Sequence, residues 1–384
     1  MIRKSQSLYP VVAKTHPGMS GKNNEDRFGV TAFQLNKKNP TPVLLAVLSD
    51  GIGGHKAGEV AAEIAVNQIT QTAMESKGLQ PIQIMQAGIE RASHAIHAES
   101  QKDTGKQGMG ATIAIAWMIG HRLFTASVGD SRIYLIRGDR IRQLSVDHTW
   151  IQEALDNNIL TSEQVEGHPN RHVIRRYLGG PTPPEIDFRM VLAHGEADQT
   201  ALNNQGVTLQ TGDRLVLTSD GLTDLVSDAE ILAAFEVDAT NQAVDNLINL
   251  ANQRGGHDNI TIISFEIPDG MQVVANKRSF FPFGCVLTTV IIAAIALLVL
   301  GFFWLQKTPI NLGFLNRTQQ PMQVTLNPMM TSAPQSTATQ DNSSGPKLVP
   351  TATVQPLSPQ TTQTGGYPPP DEMVLTPVTP QANP

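Results

Sequence analysis

The amino-acid sequence predicts an α+β fold in which antiparallel sheets are flanked by helices. Two observations predict it: apolar strand-like runs follow one another in adjacent pairs, and the amphipathic helical segments also come in pairs. A doubly wound parallel sheet would instead alternate single strands with single helices. The predicted globular unit covers residues 1–268 of the 384-residue chain.

The strand predictions rest on short runs rich in apolar and β-branched residues. These runs span residues 27–33, 43–48, 112–118, 123–128, 131–136, 215–218 and 260–265. Two longer segments, 59–74 and 81–99, repeat apolar residues with a period of about 3.6 and predict helices. Capping-box pairs, Thr161 with Gln164 and Ser227 with Glu230, predict two further helix starts.

Beyond residue 268 the sequence loses the pattern of a globular domain. Residues 269–282 form a predicted juxtamembrane linker, and residues 283–305 are uncharged and apolar over the ~20 residues that cross a bilayer. A buried core helix is the alternative, but residues 306–384, rich in Pro, Thr and Gln, predict a disordered tail that offers no core to bury it. Lys277 and Arg278 precede the span and Lys307 follows it, so we expect a single-pass cell-membrane protein with a cytoplasmic N-terminal domain and an outside tail.

Charge and cysteine usage exclude several function classes. The net charge is -6, so a basic nucleic-acid-binding surface is not expected. The single cysteine, Cys285, excludes a disulfide framework and lies in the apolar run. A phosphatase or protease with a cysteine nucleophile in the globular unit is therefore excluded.

Short motifs with acidic residues punctuate the predicted globular unit, and most of them abut an apolar strand. Converging carboxylates repel one another unless a counter-charge lies between them, and hard divalent cations are the usual counter-charge for oxygen ligands. The pattern therefore predicts a metal site assembled from distant parts of the chain. The motifs are Asn24-Glu25-Asp26, Ser49-Asp50-Gly51, Gly129-Asp130-Ser131, Ser219-Asp220-Gly221 and Asp258-Asn259.

Over residues 9–267 the ordered set of motifs resembles the metal-dependent protein phosphatase family (PPM, type 2C serine/threonine phosphatases), in its bacterial form with a C-terminal transmembrane helix. Further matching segments are Gly58-Glu59-Val60-Ala61-Ala62, Gly110-Ala111-Thr112, Asp147-His148-Thr149 and Gly212-Asp213. The resemblance implies a four-layer α-β-β-α sandwich with two central antiparallel sheets flanked by helix pairs. It also implies hydrolysis of phosphate monoesters on phosphoserine and phosphothreonine proteins by a metal-bridging hydroxide.

The same resemblance implies the ligands of two Mn or Mg ions and of a possible third. Asp50 would bridge the two ions, Asp220 and Asp258 would complete the shell of one, and Glu25 with the Gly51 carbonyl would serve the other. Asp26 would support a ligand or reach a metal through water. The third ion would bind Asp130 and Asp224, although Gly129-Asp130-Ser131 is also typical of a hairpin turn and Asp224 of a helix start.

The chain departs from the family pattern in the stretch before Asn24. His16 stands where an Asp is usual, and Gly21 where a phosphate-binding Arg is usual; the adjacent Lys22 is a candidate point-charge substitute or a solvated loop lysine. Residues 150–185, here called the flap segment, match the variable segment that borders the active site. Its basic residues, His168, Arg171, Arg175 and Arg176, contact substrate or form a solvated loop, the second being favoured.

The leading interpretation is a membrane-anchored, monomeric protein phosphatase that acts on phosphoproteins, including a serine/threonine kinase or its substrates. One alternative is a non-catalytic sensor of the same fold that binds phosphoprotein or metal, motivated by the missing Arg. The intact ligand set of Glu25, Asp50, Asp220 and Asp258 favours catalysis over that alternative. A second alternative is an envelope protein whose tail is the functional part.

Overall fold

The computed structural model describes residues 1–52, 57–165 and 167–270, together with the helical residues 296–298, 300, 302 and 304. The chain divides into two units, Met1–Phe283 and Gly284–Pro384, and the elements below belong to the first. Apart from those helical residues, the predicted membrane span 283–305 and the tail 306–384 lie outside the described residues. Among the described helices, none is both long enough and apolar enough to cross a bilayer.

Two antiparallel sheets form the centre of the first unit. One has the strand order β1-β3-β4-β7-β8-β11 and the other β10-β9-β12-β13-β2, while β5 and β6 pair separately. Their bounds are β1 Ile2–Lys4, β2 Val11–His16, β3 Arg27–Gln34, β4 Pro42–Ser49, β5 Gly51–Ile52, β6 Gly110–Ala111, β7 Ile113–Ile119, β8 Arg122–Val128, β9 Arg132–Arg137, β10 Arg140–Gln143, β11 Val207–Thr208, β12 Arg214–Thr218 and β13 Ile260–Glu266.

Helices cover the outer faces of the two sheets. In the described part of the chain they are α1 Gly58–Glu75, α2 Pro81–Ser100, α3 Trp150–Asp156, α4 Asp198–Asn203, α5 Asp220–Thr223, α6 Asp228–Val237 and α7 Thr240–Gln253, with 3-10 turns at Thr104–Lys106 and Ser162–Gln164. The Ser227–Glu230 capping box begins α6 as predicted. The Thr161–Gln164 box is also present, but it begins the 3-10 turn rather than an α-helix.

Strand β4 shows how the layers are built, because side chains on a strand alternate between its two faces. Val43, Leu45 and Val47 pack into a core with α1 and α2. Leu44, Ala46 and Leu48 pack between the sheets. A third core lies between the second sheet and helices α6 and α7. The arrangement is the predicted α-β-β-α order of layers.

The segment Gly129–Ser131 does not form a hairpin turn. Strand β8 pairs with β7 and β11, whereas β9 pairs with β10 and β12 in the other sheet. Gly129, at φ 104°, therefore carries the chain from one sheet to the other. The hairpin alternative is wrong because the two flanking strands complete different sheets.

The strand register brings the acidic motifs to one end of the sandwich. In the first sheet, Ser49 at the end of β4 pairs with Arg27 at the start of β3. In the second sheet, Thr218 at the end of β12 lies opposite Ile262 near the start of β13. Antiparallel pairing thus places the residues after β4 and β12 beside the residues before β3 and β13.

Candidate metal centre

A cleft of about 1070 Å³ opens at this end of the sandwich. Asp50 follows β4, Asp220 begins α5 directly after β12, and Asp258 precedes β13. The cleft therefore collects carboxylates from segments that are far apart in the sequence. Its lining includes Lys22, Glu25, Asp50, Gly51, Asp220, Asp224, Asp258 and Asn259, and from the flap segment Arg171, His172 and Ile174.

Asp50 lies at the centre of the acidic group. Its carboxyl group lies close enough to that of Asp220 for the two groups to influence each other's pKa. Desolvation and the charges of Asp26, Asp220, Asp130 and Asp258 raise the pKa of Asp50 well above its usual range. Neighbouring carboxyl groups repel one another when all are ionised, so this arrangement favours a bound proton or a bound cation.

Thr112 fixes the backbone of Asp50 at this position. The Thr112 hydroxyl accepts a hydrogen bond from the Asp50 N–H at 3.0 Å. The Thr112 N–H donates to the Asp50 carbonyl at 2.8 Å. Both backbone groups of Asp50 are therefore held by one residue of the neighbouring chain segment.

Desolvation also raises the pKa of Asp220 and of Asp26. Burial, with the neighbouring Asp224 and Asp258, raises the pKa of Asp220 to about 6. Burial raises the pKa of Asp26 to about 7, although hydrogen bonds from Thr261 and Ser219 oppose the rise. Those hydroxyl groups donate to one Asp26 oxygen, Oδ2, at 2.6 and 2.7 Å. Asp26 directly precedes β3 of the first sheet, but its side chain is thus held by Thr261 in β13 of the second sheet and by Ser219 directly after β12.

Glycines let Glu25 and the Gly51 carbonyl approach helix α1. A Cβ at Gly51 would collide with the Gly58 backbone and lie 2.8 Å from the Glu25 carbonyl oxygen. A Cβ at Gly58 would lie 2.7 Å from the Gly51 carbonyl oxygen and would collide with the Glu25 carboxylate. Burial and the charges of Glu59 and Asp258 raise the pKa of Glu25. Gly51 is therefore required where its carbonyl and Glu25 share a narrow space.

Asp130 and Asp224, the predicted third site, line a second, neighbouring cleft together with Asp220. Burial and the charges of Asp220 and Asp147 raise the pKa of Asp130 well above its usual range, and Asp224 adds to the rise. In the described part of the chain, His172, Asp220 and Asp224 bring their ligand atoms within 4.8 Å of one another. His172 was not predicted from the sequence.

Buried His148 positions the segment that carries Asp130. Its Nδ1 accepts a hydrogen bond from the Gly129 N–H at 3.0 Å, so its Nε2 donates to Asp187 at 3.2 Å. Its own N–H donates to the Gly129 carbonyl at 2.9 Å, and its carbonyl accepts from Arg175 in the flap segment at 2.8 Å. The Asp147-His148 motif therefore joins the sheet crossing to the flap segment.

The basic residues near the cleft are Lys22, in the loop before β3, and the basic residues of the flap segment. Lys22 is exposed, and Gly21 beside it has φ 73°, a left-handed conformation that strains any residue with a Cβ. In the flap segment, Arg175 pairs with Glu153 at 3.0 Å, Arg176 with Glu185 at 3.3 Å, and His168 stacks on Trp150. Arg171 instead faces Asp224 at 3.7 Å. Arg175 and Arg176 are thus paired with carboxylates of the protein, whereas Arg171 is only loosely paired with Asp224.

The carboxylates fit a divalent cation. Within the described residues, one buried oxygen of each of Asp26, Asp130 and Asp220 has no hydrogen-bond partner. Buried polar atoms without a partner are rare in folded proteins, and bound divalent cations with their water ligands would supply partners for such oxygens. A cluster made of carboxylate and carbonyl oxygens suits Mg or Mn better than metals that prefer sulfur or imidazole ligands.

Comparison with known proteins identifies the family to which this cleft belongs. The protein phosphatase 2C family model matches residues 17–260. The chain belongs to the protein phosphatase 2C family. The serine/threonine phosphatase stp of Listeria innocua is 32% identical over 260 residues, which cover 66% of this chain and 94% of that protein. The chain is a serine/threonine protein phosphatase and, like this family, metal-dependent.

Solved structures of protein phosphatase 2C relatives support the same assignment. The serine/threonine phosphatase of S. agalactiae has 31% sequence identity and a TM-score of 0.58, with 68% of this chain and 100% of that chain covered. The catalytic domain of PstP in complex with two manganese ions has 29% identity and a TM-score of 0.54, with 68% of this chain and 99% of that chain covered.

Proposed function

We propose that the cleft hydrolyses phosphoserine and phosphothreonine monoesters with two Mn or Mg ions. Asp50 would contact both ions, Asp220 and Asp258 would complete the ligands of one, and Glu25 with the Gly51 carbonyl would hold the other. The observation that carries this assignment is that carboxylates from distant segments of the chain converge on Asp50. Their charges raise the pKa of Asp50. Bound divalent ions supply the missing positive charge, acidify a water molecule and neutralise phosphoryl oxygens.

Asp26 has a different part in this proposal. Its Oδ2 is fixed by Ser219 and Thr261, and its buried Oδ1 has no partner within the described residues. With one oxygen anchored, the other is held at a constant position toward the centre of the acidic group. Asp26 would therefore orient a water molecule or support a ligand, rather than contribute as a freely moving carboxylate.

Lys22 would contribute a positive charge on the Glu25 side of the cleft. Its charge lowers the pKa of the Glu25 carboxyl, which places the two groups near each other. A lysine ammonium acts on phosphate as a point charge and does not reproduce the two-oxygen grip of an arginine. Asp130 and Asp224 would hold a third, weaker ion together with Asp220 and His172, whose ligand atoms already lie close together.

The proposed substrates are phosphoproteins, including a serine/threonine kinase or its substrates, and the proposed form is a monomer anchored in the cell membrane by residues 283–305. The uncharged, apolar sequence of that span supports the anchor. Lys277 and Arg278 before it support a cytoplasmic catalytic domain and an outside tail. Protease added to intact cells should remove the tail and spare the catalytic domain; the reverse pattern would contradict this orientation.

The test of the proposed chemistry is phosphate release from a phosphothreonine peptide by the full chain with Mn. Asp50→Asn and Asp220→Asn should each lower kcat at least about 1000-fold, because each removes a charge that holds an ion. Asp139→Asn is the matched control, since Asp139 is an exposed turn residue outside the cleft. Full activity in Asp50→Asn, or no Mn-dependent activity in the natural chain, would contradict the proposal.

A further inference from the structure

The guanidinium groups beside the acidic cluster differ in how firmly they are held. A neighbouring cleft of about 540 Å³ is lined by Arg132, Arg171 and Arg254 as well as Asp130, Asp220 and Asp224. Arg132 makes a two-point contact with Asp147, at 2.9 and 2.7 Å to its Oδ2. Arg254 contacts both oxygens of Glu230. These two guanidinium groups are therefore committed to carboxylate partners.

Arg171 is held much more loosely. The nearest carboxylate oxygen to its guanidinium is Asp224 Oδ1 at 3.7 Å, which is beyond hydrogen-bonding distance, and its side chain is 39% exposed. His172 takes the other Asp224 oxygen, with its Nδ1 3.1 Å from Oδ2. Arg171 lines both the main cleft and the neighbouring cleft, so an anion beside Asp220 can reach its donors.

The backbone around Arg171 keeps its side chain at the cleft. The Arg171 N–H donates to the His168 carbonyl at 3.0 Å, and two residues later the Val173 carbonyl accepts from Trp150 at 2.8 Å. Ile174 then forms a bridge with Thr149. Arg171 thus lies just before a fixed attachment point of the flap segment.

We propose that Arg171 binds the substrate's phosphate group and that Asp224 holds its guanidinium when phosphate is absent. The inference rests on the proposed function, because it places the phosphate beside the metal ligands. A phosphate monoester dianion offers oxygens that match the guanidinium fork, and charge-assisted hydrogen bonds at about 2.7–2.9 Å are stronger than the loose 3.7 Å pair with Asp224. Phosphate therefore displaces Asp224 from Arg171.

The experiment is calorimetric binding of inorganic phosphate to the full-length, Mn-loaded protein, with kcat and KM measured on a phosphothreonine peptide. Arg171→Ala should weaken phosphate binding about 10- to 100-fold and raise KM, because hydrogen bonds to a charged group are lost. Arg171→Lys should recover part of the affinity. Arg175→Ala is the matched control from the same segment and should bind phosphate within about twofold of the natural chain.

Unchanged phosphate affinity in a folded Arg171→Ala protein would overturn the proposal. A result in which Lys22→Ala loses phosphate affinity and Arg171→Ala does not would also overturn it. Arg171→Gln serves the same purpose if the alanine variant does not fold. A natural chain that binds phosphate through Arg171 but releases none from the peptide would contradict the proposed function and leave the phosphate site standing. The opposite result, peptide turnover without any Arg171 effect, would overturn the phosphate site alone.

A double-mutant cycle tests the part played by Asp224. At a Mn concentration that leaves the weaker third site empty, Asp224→Asn should tighten phosphate binding in the natural background, because Arg171 is then no longer paired. The effect should shrink by at least about half in the Arg171→Ala background, since contacting residues are not additive. An equal effect in both backgrounds would show that Asp224 acts only through its charge, and would overturn its role as the resting partner of Arg171.

Discussion

The side-chain oxygen of Asn259 accepts a hydrogen bond from the backbone N–H of Glu25 at 2.6 Å, across 234 residues of sequence. The Asn259 amide nitrogen donates to the carbonyls of Pro17 and Asn23, each at 3.1 Å. One buried side chain thus ties the loop that enters β3 to the start of β13. These are the two segments that bring Glu25 and Asp258 to the cleft.

We expect Asn259→Ala to lower the free energy of unfolding by about 1–3 kcal/mol, because it leaves the partly buried Glu25 N–H and the Pro17 and Asn23 carbonyls without their partner. Mn affinity should fall as well, since Glu25 and Asp258 lose their common tie. Urea denaturation and Mn titration measure the two effects. Asn241→Ala, on the exposed face of α7, is the control and should change neither. Natural Mn affinity in Asn259→Ala would contradict the coupling.

The fold was predictable where the local sequence determines the element. The apolar runs and the 3.6-residue period located the central strands and α1 and α2, because burial on one or two faces leaves a periodic pattern. The hairpin alternative at Gly129 failed because distant segments of the chain pair with both flanking strands: β8 lies between β7 and β11, and β9 lies between β10 and β12. Helix α7 was not predicted, although the residues of its buried face, which include Val244, Leu247 and Ala251, recur with helical spacing.

The candidate site was predictable in part for a related reason. Acidic residues at strand ends stand out in the sequence, so Asp50 and Asp220 could be expected to be neighbours from the sequence alone. Asn259 and His172 were missed as site residues because their importance lies only in tertiary partners. The sequence also did not predict the backbone conformation of Gly21. Its positive φ shows that the loop conformation itself disfavours an arginine there.

The metal-free protein should be more stable at pH 5 than at pH 8. Burial raises the pKa of Asp220 to about 6 and of Asp26 to about 7. Between about pH 4 and 7 the folded state therefore binds more protons than the unfolded state, and stability falls as the pH rises. Each group contributes up to about 1.4 kcal/mol per pH unit inside its window. Urea denaturation with a chelator at pH 5, 6, 7 and 8 measures the slope.

Mn should reverse this dependence, because ions bind the ionised carboxylates and stabilise the folded state more as the pH rises. Asp220→Asn should flatten the metal-free slope, since it removes one of the titrating groups. A metal-free stability that is constant from pH 5 to 8 would mean that these carboxyl groups are not shifted in the folded protein.

Gly51→Ala should abolish most of the activity while Gly180→Ala should not. A Cβ at Gly51 would meet the Gly58 backbone and the Glu25 carbonyl, so α1 or the Glu25 loop would have to move. A Cβ at Gly180 would meet only the Thr182 carbonyl oxygen at 3.5 Å, an ordinary contact. We expect at least about a 100-fold loss of kcat/KM for Gly51→Ala, because misplacing a reacting group by about 1 Å has that effect. Comparable activity in the two variants would contradict the narrow packing at Gly51.

His148→Ala should lower the free energy of unfolding by about 2–4 kcal/mol, because it leaves the buried Gly129 N–H unpaired, removes one hydrogen bond to Asp187 and opens a cavity. His148→Asn should lose less, since its amide oxygen can still accept from Gly129. The Mn concentration that gives half-maximal activity should rise in the alanine variant, because the segment carrying Asp130 is released. Exposed His94→Ala is the control. Equal stability and equal Mn response in the two alanine variants would show that His148 does not position the Asp130 segment.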